Sequence, residues 1–306
     1  MSDLSGYGKI YESTYWGDGR DNTIGWGNVY KDLGATNLLD QYSGATAAYS
    51  VRKISSSYSG FAVKVRNKTT QTLTDIGFDS NGDIDLTALT TAANESGAQK
   101  QLGIHTWYDQ SGNGNDATQT SASAQPNIFL GSGAILVNGK VAINFDGTND
   151  FLSGAAKTTI DNTAIFAVIK SDSNTQDAVF IQNTLDANNL VALGLGGAGT
   201  DNKLGSRLKV GGSNVDSVGD NTFTATDQTL VSYIADNATS EIFIDGTEET
   251  DSPVSRTAGT STNIGAKGDG NNPFDGAIQE VIFYDSDESS NRTAIETNIN
   301  EYYTIF

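Results

Sequence analysis

The chain has no cysteine, and only 3 prolines, 1 histidine and 1 methionine among 306 residues. Without thiols there is no disulfide, and one imidazole leaves a zinc site almost no ligands to draw on. A chain of this length buries on the order of 75% of its unfolded surface, so it needs no such staple, and the redox compartment stays open. Basic residues are also scarce. The 18 Lys and Arg stand against 37 Asp and Glu, a net charge of −19 whose field repels phosphate backbones and anionic lipid heads. Nucleic acid is therefore not an expected partner; solvation or cation binding are the remaining uses of the acidity. No apolar run approaches the roughly 20 residues of a membrane-spanning helix, and Met1–Lys9 has no apolar signal core. The expectation is a protein that neither inserts into a membrane nor takes the general secretory route.

What the chain has in quantity is glycine, 34 residues of it, and short apolar pieces divided by Gly, Asn, Asp, Ser and Thr. This is all-β punctuation. Strands are expected at Ala47–Ile54, Phe61–Arg66, Ile104–Tyr108, Val141–Phe145, Ala164–Ile169, Ala178–Gln182, Leu190–Leu195, Leu230–Ala235, Glu241–Ile244 and Ala277–Tyr284. Asp245-Gly246 and Asp146-Gly147 each follow an alternating run and favour the positive φ of hairpin turns. Two helices are expected: Leu86–Ala93, with Asp85 as N-cap, and a terminal one from about Glu288 to Tyr303, whose Ile295, Ile299 and Tyr302 form one apolar stripe. Many short strands with few helices predict a two-sheet sandwich.

Residues 1–40 differ in kind. Tyr7, Tyr11, Tyr15, Trp16, Trp26 and Tyr30 sit among glycines, which supply contact area but little core of their own. The expectation is an arm, separate from a sandwich domain over 41–306, that lies across either the sandwich or a neighbouring subunit.

The stretch Trp107-Tyr108-Asp109-Gln110-Ser111-Gly112-Asn113-Gly114-Asn115-Asp116-Ala117-Thr118-Gln119 is too specific to be a generic strand and loop. With Ala47–Ile54, Tyr58–Arg66 and Asp75–Phe78 in the same order, it resembles the catalytic domain of family 54 α-L-arabinofuranosidases, and lectin-like proteins of bacteria and tailed phages that share this cassette. Asn144–Leu152, Ser240–Thr247 and Gly276–Tyr284 are similar to strands of concanavalin-like (LamG-type) domains. The resemblance implies an all-β, concanavalin-like jelly-roll β-sandwich with short peripheral helices and an extended N-terminal arm.

It also implies where chemistry would sit. A retaining glycosidase needs two carboxyl groups about 5 to 5.5 Å apart. The turn Asn263-Ile264-Gly265-Ala266-Lys267-Gly268-Asp269-Gly270-Asn271 is similar to the family's acid/base turn, making Asp269 the acid/base candidate. The counterpart of the nucleophile strand, Leu204–Gly212, carries no carboxylate, and the paired cysteines of the family's sugar pocket have no counterpart. Asp201, Asp216 and Glu241 are the remaining carboxylates that folding would have to bring to Asp269. A degenerate, non-enzymatic site is therefore expected, with Asp269, Asn271, Asn272 and Trp107 as carbohydrate-binding candidates. His105 reads as a sheet residue rather than a triad base. Asp109, Ser111, Asn113 and Asn115 alternate like calcium-loop ligands but lack the closing Glu; Asp146, Asn149 and Asp150 are the calcium candidates instead. Gly194–Gly199 lacks the Lys-Ser/Thr of a phosphate loop.

The reading is a virion structural protein of a tailed phage, on tail, fibre or capsid surface, assembled in the host cytoplasm and binding glycan. Its partners would be other virion proteins, or copies of itself through the arm. The alternatives are an α-L-arabinofuranosidase and a bacterial surface adhesin module.

Overall fold

The computed structural model describes residues 37–94, 100–154, 162–173, 178–186, 189–195, 203–210, 213–222, 226–236, 239–249, 261–267 and 270–306. The six aromatic residues expected to form the arm lie outside them. The chain enters through a short helix, α1 (Leu38–Gln41), and strands β1 (Ala45–Ser50), β2 (Val63–Asn67) and β3 (Leu73–Ile76). Helix α2 (Leu86–Asn94) starts where Asp85 predicts, its carboxylate accepting the Thr87 and Ala88 N–H groups at 2.9 Å each. Next come β4 (Gln101–Trp107), β5 (Ala117–Thr118), β6 (Asn127–Leu130), β7 (Gly133–Ala134), β8 (Leu136–Val137), β9 (Lys140–Val141), β10 (Ile143–Asp146) and β11 (Leu152–Gly154). Long strands follow: β12 (Asn162–Ser171), β13 (Ala178–Asp186), β14 (Asn189–Leu195), β15 (Lys203–Val210), β16 (Ser213–Thr222) and β17 (Gln228–Asp236). The chain closes with β18 (Thr239–Ile244), β19 (Thr247–Glu249), β20 (Ser261–Ile264), β21 (Asp275–Tyr284) and helix α3 (Arg292–Tyr303).

The pairing resolves into two antiparallel layers. One runs β19-β18-β17-β12-β21, with β1 and β10 end to end along the far side of β21. The other runs β3-β2-β4-β5-β11-β20-β13-β14-β15-β16, and β6 links the layers by pairing with both β4 and β10. Tyr49 of β1 meets Trp107 of β4 across the gap, ring centroids 5.8 Å apart, inside one continuous core. The fold is the jelly-roll sandwich expected.

Each expected strand is found, several with shifted ends. Strand β21 is buried from Gly276 to Tyr284 on both faces, because α3 lays Ile295, Ile299 and Tyr303 over the outer side of its layer. The terminal helix starts at Arg292 rather than Glu288. Glu288 instead accepts from Ser286 and Asn291, holding a turn ahead of the helix. Asp245-Gly246 makes the expected hairpin, with φ of +50° and +77°. Asp146-Gly147 does not. It hands the chain from β10 to β11 in the opposite layer, and only Gly147 has positive φ.

The signature loop is structural. Strand β1 pairs with β21 on one side; its other edge is met by side chains of the loop. Buried Asp109 accepts the N–H groups of Ala48 (2.8 Å), Ser111 (2.8 Å) and Asn115 (3.0 Å) and the Ser111 hydroxyl (2.7 Å). Gln110 accepts the Ile54 N–H at 3.0 Å and donates to the carbonyls of Arg52 and Ser50 at 2.9 and 3.2 Å. Asn113 and Asn115 donate to the carbonyls of Ala45 and Thr46. Amide and carboxylate groups thus stand in for the strand that would otherwise satisfy this edge.

Just beyond β1, Arg52 enters a buried network. Its guanidinium grips Glu280 through Nε (2.8 Å) and Nη2 (3.0 Å) and donates to Asn298 Oδ1 of α3 at 3.1 Å. Glu280 also accepts from Ser50 (2.6 Å) and Tyr303 (3.1 Å). Burial, the largest influence, would lower the Arg52 pKa; the charge and hydrogen bonds of Glu280, with Tyr303 and Tyr302, together raise it.

Replacing Asp109 with Ala strands buried N–H donors, so Asp109→Ala should lower unfolding free energy by about 3 kcal/mol, read as a lower denaturant midpoint. Arg52→Ala leaves Glu280 charged and uncompensated and should cost about 3–5 kcal/mol. A midpoint unchanged in either variant would show that the corresponding network contributes little.

Candidate functional site

The register lines up four residues across the outer face of the first layer. Asn144 of β10 lies opposite Ala277 of β21, Ala277 opposite Lys170 of β12, and Lys170 opposite Gln228 of β17. Together they form the floor of an open cavity of about 630 Å³. The small Ala277 keeps the floor low. Ile135–Asn138, the turn residues Asp172, Thr226 and Asp227, and Thr304 and Ile305 beyond α3 form the walls.

These walls are tied to the scaffold. Asn138 donates to the carbonyls of Tyr303 (2.7 Å) and Thr304 (2.9 Å), pinning the tail to the β8–β9 turn. Gln279 donates to the carbonyls of Val137, Lys140 and Val141 and accepts from Gln228. Lys170 pairs with Asp172 at the rim. The cavity therefore offers an ammonium, carboxylates and amides in fixed positions around a partly apolar floor, which suits a small polyhydroxylated ligand. Neighbouring Asp275 has its pKa raised by burial and then by the charges of Asp172 and Asp146, against the pull of Lys170.

The sequence-predicted residues divide. Asn271 and Asn272 share a turn in which Lys267 Nζ donates to Asn272 Oδ1 at 2.6 Å and its backbone N–H to the Asn271 carbonyl at 3.0 Å. Asp269 lies outside the described residues. This turn touches the 146–150 turn through the Gly147 N–H, which donates to the Phe274 carbonyl at 3.1 Å. Trp107 is elsewhere and wholly buried, so it packs the core and has no face to offer a sugar. The expectation for it is corrected, because an aromatic strand end points inward as readily as outward. Asp201 also lies outside the described residues. Asp216 sits in β16 opposite Arg207, at the edge strand of the second layer, and Glu241 sits in β18 of the first layer, whereas β20, which leads to Asp269, belongs to the second. His105 is a sheet residue with Nδ1 2.9 Å from the Thr106 hydroxyl.

The calcium candidates close on themselves. Asp146 Oδ1 accepts the N–H groups of Thr148 (2.9 Å) and Asn149 (3.4 Å), and Asp150 Oδ2 accepts the Asp146 N–H (3.1 Å). Among the described residues, no set of three or more carboxylate or histidine side chains is arranged to hold a metal ion. Asp146 and Asp150 thus hold the turn they sit in. The Asp150 carboxyl is pushed up to about 6, by burial first and the Asp146 charge second, with Lys68 and the Asp146 N–H pulling it back. Sequence reasoning missed the cavity residues; the polar breaks in apolar strands at Asn144 and Lys170 were their only trace.

Fold and site define a concanavalin-like sandwich with an open polar cavity on one layer. It is similar in structure to a family 54 α-L-arabinofuranosidase soaked with a cyclic sulfate inhibitor, at TM-score 0.65 and 19% identity over 87% of this chain and 64% of that one. An arabinofuranosidase complexed with arabinofuranosyl-α-1,2-xylobiose gives TM-score 0.63 and 18% identity over the same shares, 87% and 64%. Domain 4 of a family 43 extracellular arabinanase from Geobacillus stearothermophilus, in complex with arabinotriose, overlaps at TM-score 0.47 and 17% identity, over 66% of this chain and 98% of that one. The chain thus spans just under two thirds of the arabinofuranosidases it resembles, and at these identities the likeness is one of fold. No protein-family model matches the chain, and no curated protein sequence matches it.

Unfolded, Asp150 titrates near 3.8; folded, near 6. Between those values the folded protein holds a proton the unfolded chain has lost, so stability falls as pH rises from about 4 to about 6 and stays lower above. Asp150→Asn keeps an acceptor for the Asp146 N–H without the charge. It should flatten that segment of the stability profile and stabilise the protein at pH 7.5 by about 1–3 kcal/mol, measured by denaturant unfolding across the pH range.

Proposed function

We propose that the protein is a non-enzymatic carbohydrate-binding component of a tailed-phage virion, on tail, fibre or capsid surface, which engages glycan at the cavity over Asn144, Ala277, Lys170 and Gln228. The observation that carries the binding part is that cavity: charged and amide groups in fixed positions around the small Ala277, on a sandwich fold that arabinofuranosidases also use. Support for the virion part is the signature cassette, which resembles phage-borne copies, and the aromatic arm, suited to anchoring on other virion proteins or on copies of this chain. The non-enzymatic part rests on the composition of Lys203–Val210, which holds no carboxylate to act as nucleophile.

A glycan array probed with the full chain, with and without calcium, should give saccharide binding that Lys170→Ala weakens tenfold or more. A blank array in both conditions would end the carbohydrate reading, and calcium-dependent signal would restore the ion site at Asp146, Asn149 and Asp150. The second reading, an α-L-arabinofuranosidase, is favoured by the shared fold. It requires release of nitrophenol from a 4-nitrophenyl arabinofuranoside that Asp269→Asn abolishes, and the expected result is no turnover. Removing residues 1–35, which leaves α1 whole, should abolish incorporation into particle or oligomer while leaving saccharide binding intact; unimpaired incorporation would remove the arm's role.

A further inference from the structure

The second layer carries a surface that the cavity does not use. Strand alternation on β2 turns Lys64 and Arg66 outward while Val63, Val65 and Asn67 face in, and the register sets Lys64 opposite Asp75 and Arg66 opposite Leu73 of β3. On the other side of β2, a register shift in β4 leaves His105 on this outer face, where its pKa is lowered by burial and then by the charges of Arg66 and Lys64, against Asp75. It stays neutral at physiological pH. At the end of this face stand two rings: Phe61, 47% exposed, and Tyr108, with centroids 6.3 Å apart.

Both rings are held. The Tyr58 hydroxyl donates to the Phe61 carbonyl at 2.8 Å, and Tyr58 itself stacks edge-on against Phe78. Tyr58 is kept protonated, its pKa pushed up to about 12 by burial and then by Asp116 and Asp109. The Tyr108 hydroxyl donates to Asp75 at 2.6 Å, while Lys64 reaches the same carboxylate at 3.6 Å and sits 6.0 Å from the Tyr108 ring centre. Gly77 beside Phe61 leaves the flank of that ring open, since even a methyl there would come within 3.7 Å of it.

We propose that this face is a second saccharide-binding surface, on which Phe61 and Tyr108 stack against the apolar face of one neutral sugar ring while Asp75, Lys64 and His105 take its hydroxyl groups. The inference rests on the carbohydrate reading above and extends it to the opposite layer. Two observations select the occupant. The apolar area is one pair of rings, far below the roughly 800 Å² per partner of a stable protein interface. The polar rim mixes one carboxylate, one ammonium, one guanidinium and one imidazole, a set of donors and acceptors that suits hydroxyls, which both donate and accept. Rings fixed before binding lose little entropy on meeting a ligand.

The test is titration of the full chain with arabinotriose, xylotriose and the neutral saccharides that score on a glycan array. Titration should show two binding phases: Phe61→Ala and Tyr108→Ala should each weaken one of them tenfold or more, Phe61→Trp should preserve it, and Lys170→Ala in the cavity should weaken only the other. Phe61 is half exposed, so its loss should leave the unfolding midpoint close to wild type; Phe61→Trp controls for any loss that is merely structural. If Phe61→Ala and Tyr108→Ala bind like wild type while Lys170→Ala abolishes binding, this surface is wrong and the cavity reading stands. If Lys170→Ala is silent and the ring variants fail, this surface is the site and the cavity assignment falls. If wild type binds no saccharide, both fall together.

Discussion

A single buried carboxylate, Asp109, organises the edge of the first layer by accepting hydrogen bonds from Ala48, Ser111 and Asn115. Without it, β1 would present unpaired N–H groups to the interior side of a loop. With it, β1 stays seated against β21, and the chain leaves the strand so that Arg52 arrives at Glu280. That ion pair in turn receives Asn298 and Tyr303 and so seats α3. The tail of α3 is then pinned by Asn138 and becomes a wall of the cavity. A loop on one side of the sandwich is therefore linked to a cavity wall on another through contiguous hydrogen bonds and rigid strands.

This chain of dependence changes what the family resemblance means. The loop from Asp109 to Asp116 carries carboxylates and amides, the residue types of catalysis, yet the Asp109 oxygens are consumed by local donors and the loop closes the edge of β1. Motifs persist for architecture as well as for chemistry, and function has to be argued from the site. The cavity over Ala277 is assembled from residues scattered over several strands and carries no local signature.

The acidity of the chain has local consequences. Asp150, Asp275 and Asp116 all have their carboxyl pKa raised, in each case by burial first and with help from a neighbouring aspartate. Charge crowding of this kind works against the folded state. Asp150 is kept where it is because its oxygen caps the turn at Asp146. Arg52, Lys64, Lys170, Lys140 and Arg292 are each paired with one carboxylate.

Strand periodicity, turn chemistry and the N-cap at Asp85 were legible because they depend on neighbours along the chain. The all-β class, the ten expected strands and the Asp245-Gly246 hairpin follow from alternation and from which residues tolerate positive φ. Strand β16 was not legible, because its run of Ser, Asn, Asp and Gly shows little alternation and only its pairing partner makes it a strand. Nor was the difference between Asp245-Gly246 and Asp146-Gly147, which are the same dipeptide locally but lead to a return strand in one case and to the opposite layer in the other. Whether Trp107 faced core or solvent, and that Asn144, Ala277, Lys170 and Gln228 stand in one row, were decided by cross-strand register. Register is a contact between residues far apart in sequence, set by how two layers share one core, and no local pattern encodes it.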